Sequence, residues 1–248
     1  IGSQQETVFT ERCSAADLRS HFEAQCERFV QWAARQQAHR AARDAALTAL
    51  AFPFGAFRTG QRPLAEAVYK AATAGRCLLA QAPTGIGKTV GTLFPLLKAA
   101  PGQRIDKLFF LAAKTSGRQL ALDALGHLRS TPLHVLELVA RDKACEHPDK
   151  ACHGESCPMA RGFYDRLPAA RADAVNQGAL HQAQLRDVAL RHQVCPYYLS
   201  QELARWADVV VGDYNYWFDL GGLLHGLAQA NQWRVALLVD EAHNLVER

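Results

Sequence analysis

The stretch Ala82-Pro83-Thr84-Gly85-Ile86-Gly87-Lys88-Thr89 constrains this chain more than any other. It lies between an apolar run, Cys77-Leu78-Leu79-Ala80, and a helix-like run from Val90 to Ala100. Strand, glycine turn and helix in that order form a phosphate-binding loop. Gly85 and Gly87 let the backbone turn its N–H groups toward an anion with no Cβ in the way. The helix start that follows adds a partial positive charge at the same point. In such a loop Lys88 reaches the β- and γ-phosphates of ATP, and the Thr89 hydroxyl binds Mg²⁺. Thr84, Gly85, Ile86, Gly87, Lys88 and Thr89 are therefore the expected triphosphate contacts. The pattern departs from G-x-x-x-x-G-K-T at its first position, which is Ala82.

A second apolar run, Val235 to Val239, ends in Asp240-Glu241-Ala242-His243. Paired acids at the end of a buried strand are the usual partner of a phosphate loop. Asp240 is expected to hold Mg²⁺, Glu241 to orient the attacking water, and His243 to sense the nucleotide state. Lys88, Asp240, Glu241 and His243 form the expected catalytic set.

Composition agrees with a packed core: 49% of the 248 residues are hydrophobic and 21% charged. No apolar run approaches the roughly 20 residues of a membrane span, and no charged-then-apolar leader opens the chain. Position 1 is Ile and the one methionine is Met159, so the chain reads as a piece of a longer protein. Residues 51–141 carry 12 Lys and Arg against 4 Asp and Glu, whereas residues 207–248 carry 2 against 6. The basic excess gathers around the phosphate loop, as polyanionic ligands favour; an ordinary solvated basic surface is the alternative.

Residues 1–13 carry no pattern, and Ser14-Ala15-Ala16-Asp17 reads as a capping box opening a long helix to about Ala51, stopped by Phe52-Pro53. A second helix is expected from about Arg62 to Ala74, capped by Thr59 and ended by Gly75. Lys107 to Ala113 reads as a buried parallel strand. Lys114, Thr115 and Ser116 stand at its C-terminal end, where open parallel sheets bind ligands. Their hydroxyls and the helix-start N–H groups are suited to the phosphates of a single strand of DNA. Val135–Val139 is a shorter strand, and Asp208–Val211 a further buried one that runs into Asp213-Tyr214-Asn215-Tyr216-Trp217.

Of seven cysteines, Cys13, Cys26 and Cys77 read as small buried hydrophobes. Cys145, Cys152, Cys157 and Cys195 form a group apart, read as metal ligands because disulfides are rare inside cells. Their spacing lacks the paired C-x-x-C of most zinc sites and the ferredoxin C-x-x-C-x-x-C run. By spacing alone zinc and iron–sulfur both fit, with His147, His153 and His192 as further zinc ligands.

Taken together, the chain resembles the XPD/DinG-type iron–sulfur-containing DNA helicases of superfamily two. The residues that carry the resemblance are Phe57-Arg58…Gln61, Ala82–Thr89, the four inserted cysteines, Cys195-Pro196-Tyr197-Tyr198, Val209–Asn215 and Asp240-Glu241-Ala242-His243. It covers about residues 52–248 and looks most like a bacterial DinG-related branch, in which a nuclease-like domain can precede the helicase; no nuclease carboxylate–lysine motif is present. The resemblance implies an α/β fold: a RecA-like parallel sheet flanked by helices, with a small α-helical iron–sulfur insert and an N-terminal helical extension. The implied boundaries are 1–51 for the extension, 52–141 and 207–248 for the motor domain, and 142–206 for the insert. It implies that Arg58 and Gln61 bind the adenine of ATP and that a 4Fe–4S cluster sits on Cys145, Cys152, Cys157 and Cys195, pinning a domain with little apolar core of its own. It implies single-stranded DNA and duplex junctions as partners, met by Lys114, Thr115, Ser116, Tyr197, Tyr198 and Asn215. Phe163, Tyr164, Lys143, Arg161 and Arg166 are further candidates to stack bases and meet phosphates, with core packing as the alternative for the aromatics. It implies 5′-to-3′ unwinding and a cytoplasmic, nucleoid-associated place in a bacterium.

The family's second RecA-like domain and its arch region are not in the sequence. The missing domain carries an arginine worth about 10³–10⁵ in rate, so weak nucleotide binding and slow hydrolysis are expected. Two other readings stay open: a translocase or RNA-directed ATPase on the same core, and a non-enzymatic zinc- or iron–sulfur-stabilised nucleic-acid-binding module.

Overall fold

The computed structural model describes residue 8, residues 10–128 and residues 132–246; of the patternless lead-in, residues 1–7 and 9 lie outside these. In chain order the elements are α1 (Ala15–Ala49), α2 (Gln61–Thr73), α3 (Lys88–Gln103), β1 (Lys107–Ala112), α4 (Thr115–Gly126), β2 (Val135–Glu137), α5 (Arg141–Ala144) and α6 (Phe163–Asn176). There follow β3 (Ala179–Leu180), α7 (Gln182–Arg191), α8 (Pro196–Leu203), β4 (Val209–Gly212), α9 (Asn215–Phe218), α10 (Leu223–Asn231), β5 (Val235–Asp240) and a 3₁₀ turn, Ala242–Leu245. Two compact units divide the chain, residues 1–42 and 43–248. None of the described helices is long and apolar enough to cross a membrane.

In the first unit the capping box forms as the residue pattern indicates. Asp17 N–H donates to Ser14 Oγ at 3.1 Å, and Ser14 N–H donates to Asp17 Oδ2 at 3.3 Å. Cys13 and Cys26, expected to be buried, are exposed. So are Leu18, Phe22, Phe29 and Val30. Helical spacing lines these residues up but supplies no second surface to cover them.

The second unit is built on five parallel strands in the order β3-β2-β4-β1-β5. Period-two alternation sorts the strands' side chains between two faces. Phe109, Leu111, Leu136 and Val210 pack with Leu167, Leu185, Val188 and Leu199 from α6, α7 and α8. Leu108, Phe110, Val209 and Val211 pack on the other side with Leu47, Leu93, Leu97 and Leu122. Each fully buried Leu or Phe here contributes roughly 1.5–3 kcal/mol relative to exposure. A parallel sheet flanked by helices is the architecture implied by the resemblance.

Three local expectations differ. Cys77–Ala80 forms no strand. Leu79 is 90% exposed, and Cys77, expected to be buried, is exposed too. Four apolar residues signal strand composition, but a parallel strand gains its hydrogen bonds only from a neighbour. This segment docks on none among the described residues, leaving β5 at the sheet's edge. Next, α2 starts from Gly60 at φ 78° with no side-chain cap, rather than from a Thr59 cap. Finally, the cysteine-bearing block adds a strand to the sheet: Val135 pairs with Ala179 and Leu136 with Leu180. Two residues are too short to show a period.

At the N-terminal edge of the sheet the end of α1 is anchored by charge. Arg43 is buried; its Nη1 donates to Asp208 Oδ1 at 2.9 Å and to the Asp106 carbonyl at 3.3 Å. Asp208 Oδ2 accepts the His134 N–H at 2.9 Å. Burial alone would lower the pKa of Arg43, but the Asp208 carboxylate outweighs it and the net shift is upward.

Candidate functional site

The opposite, C-terminal edge carries the residues singled out by motif. Register puts Ala112 of β1 beside Asp240 of β5, and Leu111 beside Gly212 of β4. The turns that follow these three strands therefore converge, at the edge where open parallel sheets take ligands.

The glycine loop leads into α3 with Gly85 at φ 85° and Gly87 at φ 80°. Lys88 lies in the first turn, with its Nζ donating to the Ala82 carbonyl at 3.1 Å. Thr84 and Gly85 are exposed; Ile86, Gly87, Lys88 and Thr89 are half-buried. Lys88 is close enough to Asp240 to act on its charge: burial raises the Asp240 carboxyl above the usual range, Glu241 adds to this, and Lys88 opposes it. The loop and the acids, about 150 residues apart in sequence, thus face each other.

Arg58 and Gln61 approach this loop from its outer side. Gln61 Nε2 donates to the Gly87 carbonyl at 2.9 Å, and Gln61 Oε1 accepts the Arg58 N–H at 3.0 Å. Arg58 Nη1 donates to the Gly85 carbonyl at 2.9 Å. Both ends of the Gln61 amide are engaged by the protein, so in this structure the pair braces the phosphate loop and offers no free amide edge to an adenine.

Asp240 and Glu241 occupy a strained turn, with Glu241 at φ 51°, a region that costs a non-glycine residue about 1–2 kcal/mol. Two residues hold it. Tyr214, fully buried, donates its hydroxyl to the Asp240 carbonyl and, at 3.0 Å, to the Glu241 carbonyl. Asn244 Nδ2 donates to the Glu241 carbonyl at 2.9 Å. Burial, then the Asp240 charge, pushes the Tyr214 phenol up, so it stays a neutral donor. Strand patterning gives no signal for this role of Tyr214; a tyrosine immediately after a buried strand is the nearest cue. His243 is exposed in the 3₁₀ turn.

Lys114, Thr115 and Ser116 are exposed where β1 passes into α4. Lys114 Nζ lies 3.8 Å from Glu241 Oε2, which turns it toward the acids. Thr115 Oγ1 accepts from Arg118 Nη2 at 3.1 Å. Asn215 is exposed at the start of α9.

The four cysteines gather round the start of α8. Cys195 caps that helix; burial pushes its thiol up, against the N–H groups of Tyr198 and Tyr197, and Cys145 and Cys157 are near enough to add to the rise. Tyr198 feels Cys152 and Cys195 in turn. Among the described residues no three of these sulfurs lie within 4.8 Å of one another. A tetrahedral zinc site would hold them about 3.8 Å apart. Of the aromatic and basic residues nearby, Phe163 is in the core, whereas Tyr164 is 79% exposed. Arg161 Nε donates to the Gly154 carbonyl at 3.1 Å, and Arg166 Nη2 donates to the Arg161 carbonyl and, at 3.4 Å, to that of Pro158. Phe163, Arg161 and Arg166 thus hold the cysteine-bearing loop, in place of the base and phosphate contacts expected of them. Glu146 and Arg186 form a two-pronged ion pair at 2.6 and 2.9 Å.

The family model DEAD_2 matches residues 133–248. A regulator of telomere elongation helicase 1 homologue of Anopheles gambiae is 30% identical over 156 residues, 56% of this chain and 15% of its own length. The XPD helicase subunit of general transcription and DNA repair factor IIH from Dictyostelium discoideum is 27% identical over 85 residues, 34% of this chain and 11% of its own. The chain is similar to XPD-type helicases. A solved XPD helicase superposes with a TM-score of 0.54 at 20% identity, over 77% of this chain and 34% of the other. That likeness is one of fold: the parallel sheet and its flanking helices match those of the XPD motor domain. The chain spans only a small fraction of the length of these XPD-type relatives.

Proposed function

We propose that this chain is the ATP-binding motor half of a DNA helicase of the XPD type. One observation carries the reading most: Lys88 in the glycine loop stands within electrostatic reach of Asp240, across a turn that also holds Glu241. Loop, lysine and paired acids are the parts phosphoryl transfer needs. Lys88 leaves the Ala82 carbonyl for the β- and γ-phosphates, Thr89 and Asp240 hold Mg²⁺, and Glu241 polarises the attacking water, with His243 beside it. Lys114, Thr115, Ser116, Asn215, Tyr197 and Tyr198 face the strand of DNA. The family likeness supports 5′-to-3′ movement along single-stranded DNA and action at duplex junctions, with a second RecA-like domain and an arch region to complete the enzyme. It also supports the bacterial, nucleoid-associated DinG-like branch.

Lys88→Ala tests the motor reading. Loss of a charged phosphate contact is expected to weaken binding of a fluorescent ATP analogue roughly ten- to a hundredfold and to remove DNA-stimulated hydrolysis. Unchanged hydrolysis would sink the reading, and the nucleic-acid-binding module would replace it. Strand displacement on DNA and RNA duplexes separates helicase from translocase and from RNA-directed ATPase.

The cysteine set fits an iron–sulfur cluster better than zinc: all four ligands are thiols, and their sulfurs are spread wider than a single ion allows. Cys145, Cys152, Cys157 and Cys195 would hold a 4Fe–4S cluster. Bound there, the cluster supplies a covalent cross-link between Cys145–Cys157 and the start of α8. Anaerobically purified protein is expected to contain about four irons per chain, and one zinc with no iron would defeat the assignment.

A further inference from the structure

We infer that Gly117 is a positioning residue for Asp240; the inference rests on the nucleotide reading above. Gly117 is the third residue of α4, a site where the backbone makes no demand for glycine. Alanine is the better helix former there, so glycine needs another reason. A Cβ built on Gly117 meets Asp240 Oδ2 at 3.2 Å and the Ala112 Cβ at 3.0 Å. Neither neighbour gives way easily. Ala112 is buried in β1 and in register with Asp240 itself. The main chain of Asp240 is held by the Tyr214 hydroxyl.

The bare α-carbon therefore lets the first turn of α4 close on the carboxylate and sets where Oδ2 stands. Lys114, just before the helix, reaches the other acid, with Nζ 3.8 Å from Glu241 Oε2. One turn of chain thus touches both carboxylates. A methyl group at Gly117 pushes against the Asp240 oxygen, and the carboxylate loses the place from which it holds Mg²⁺. Outer-shell contacts of this kind typically govern metal affinity by about 10–100-fold.

The test is a Mg²⁺ titration of fluorescent ATP-analogue binding to this chain, in the wild type, Gly117→Ala, Asp240→Ala and Leu120→Ala. Leu120 is exposed on the same helix and serves as the control. Gly117→Ala is expected to raise the half-saturating Mg²⁺ concentration by about tenfold or more, with Mg²⁺-free analogue binding and circular dichroism unchanged. Leu120→Ala is expected to match the wild type. Ala112→Gly combined with Gly117→Ala removes the strand contact and keeps the one to Asp240, so the Mg²⁺ defect must persist; this variant carries the test if Gly117→Ala alone does not fold. Wild-type half-saturation in Gly117→Ala, or its recovery in the double variant, overturns the inference. Binding that needs no Mg²⁺ in the wild type, or is indifferent to Asp240→Ala, overturns the nucleotide reading instead.

Discussion

Arg43→Ala is expected to destabilise the chain by about 3–5 kcal/mol, the usual cost of removing one partner of a buried ion pair. Both side chains are 8% exposed and meet at 2.9 Å, so solvent screens the pair little. Arg43 also donates to the Asp106 carbonyl, ahead of β1, while Asp208 stands ahead of β4. One guanidinium thus joins the end of α1 to two neighbouring strands at the edge away from the nucleotide loop. Its loss leaves the Asp208 carboxylate buried without its arginine. Denaturant unfolding of the wild type and Arg43→Ala measures the difference. Arg43→Met with Asp208→Leu is expected to recover most of it, because two apolar groups of similar size need no counter-charge. A difference below about 1 kcal/mol, the range of surface pairs, would show the pair to be idle.

Gly87→Ala is expected to weaken nucleotide binding by more than about a hundredfold, on the order of 3 kcal/mol from lost hydrogen bonding and left-handed strain together. Gly87 sits at φ 80°, and a Cβ there lies 2.4 Å from Gln61 Nε2. Gln61 cannot move aside cheaply: it is 3% exposed and bonded at both ends of its amide, to Gly87 and to Arg58. The added methyl group must drive the brace out or flatten the turn, and either loses the aim of the loop's N–H groups. Gly87→Ala with Gln61→Ala relieves the clash and keeps the unfavourable φ, so partial recovery measures the brace. Fluorescent ATP-analogue titration reads both variants; wild-type affinity in Gly87→Ala would show that neither constraint acts.

The chemistry of the nucleotide site was legible because it is local. A glycine turn ending in Lys88-Thr89 has few other uses, and apolar runs ahead of Lys114, Asp213 and Asp240 mark strands that end at one edge. Arg58 and Gln61 were legible as part of the site, but whether they meet a base or a backbone was not. An amide has the same donor and acceptor toward either, and only the approach of Gln61 to Gly87 decides between them here. Tyr214 and Gly117 were not legible in these roles. A tyrosine after a strand and a glycine in a first helical turn are both ordinary, and their meaning lies in what they touch across β1, β4 and β5.

By itself the sequence determined the strands, the phosphate loop, the acid pair and the grouping of four cysteines, because each depends on residue type and near-neighbour spacing. Tertiary structure alone decided that Cys77–Ala80 stays out of the sheet while Ala179–Leu180 joins it, and that Arg161 and Arg166 hold a loop. It alone set Gly117 against Asp240. Those outcomes turn on which surfaces meet, and apolar content or charge in one segment carries no record of the partner that will cover it.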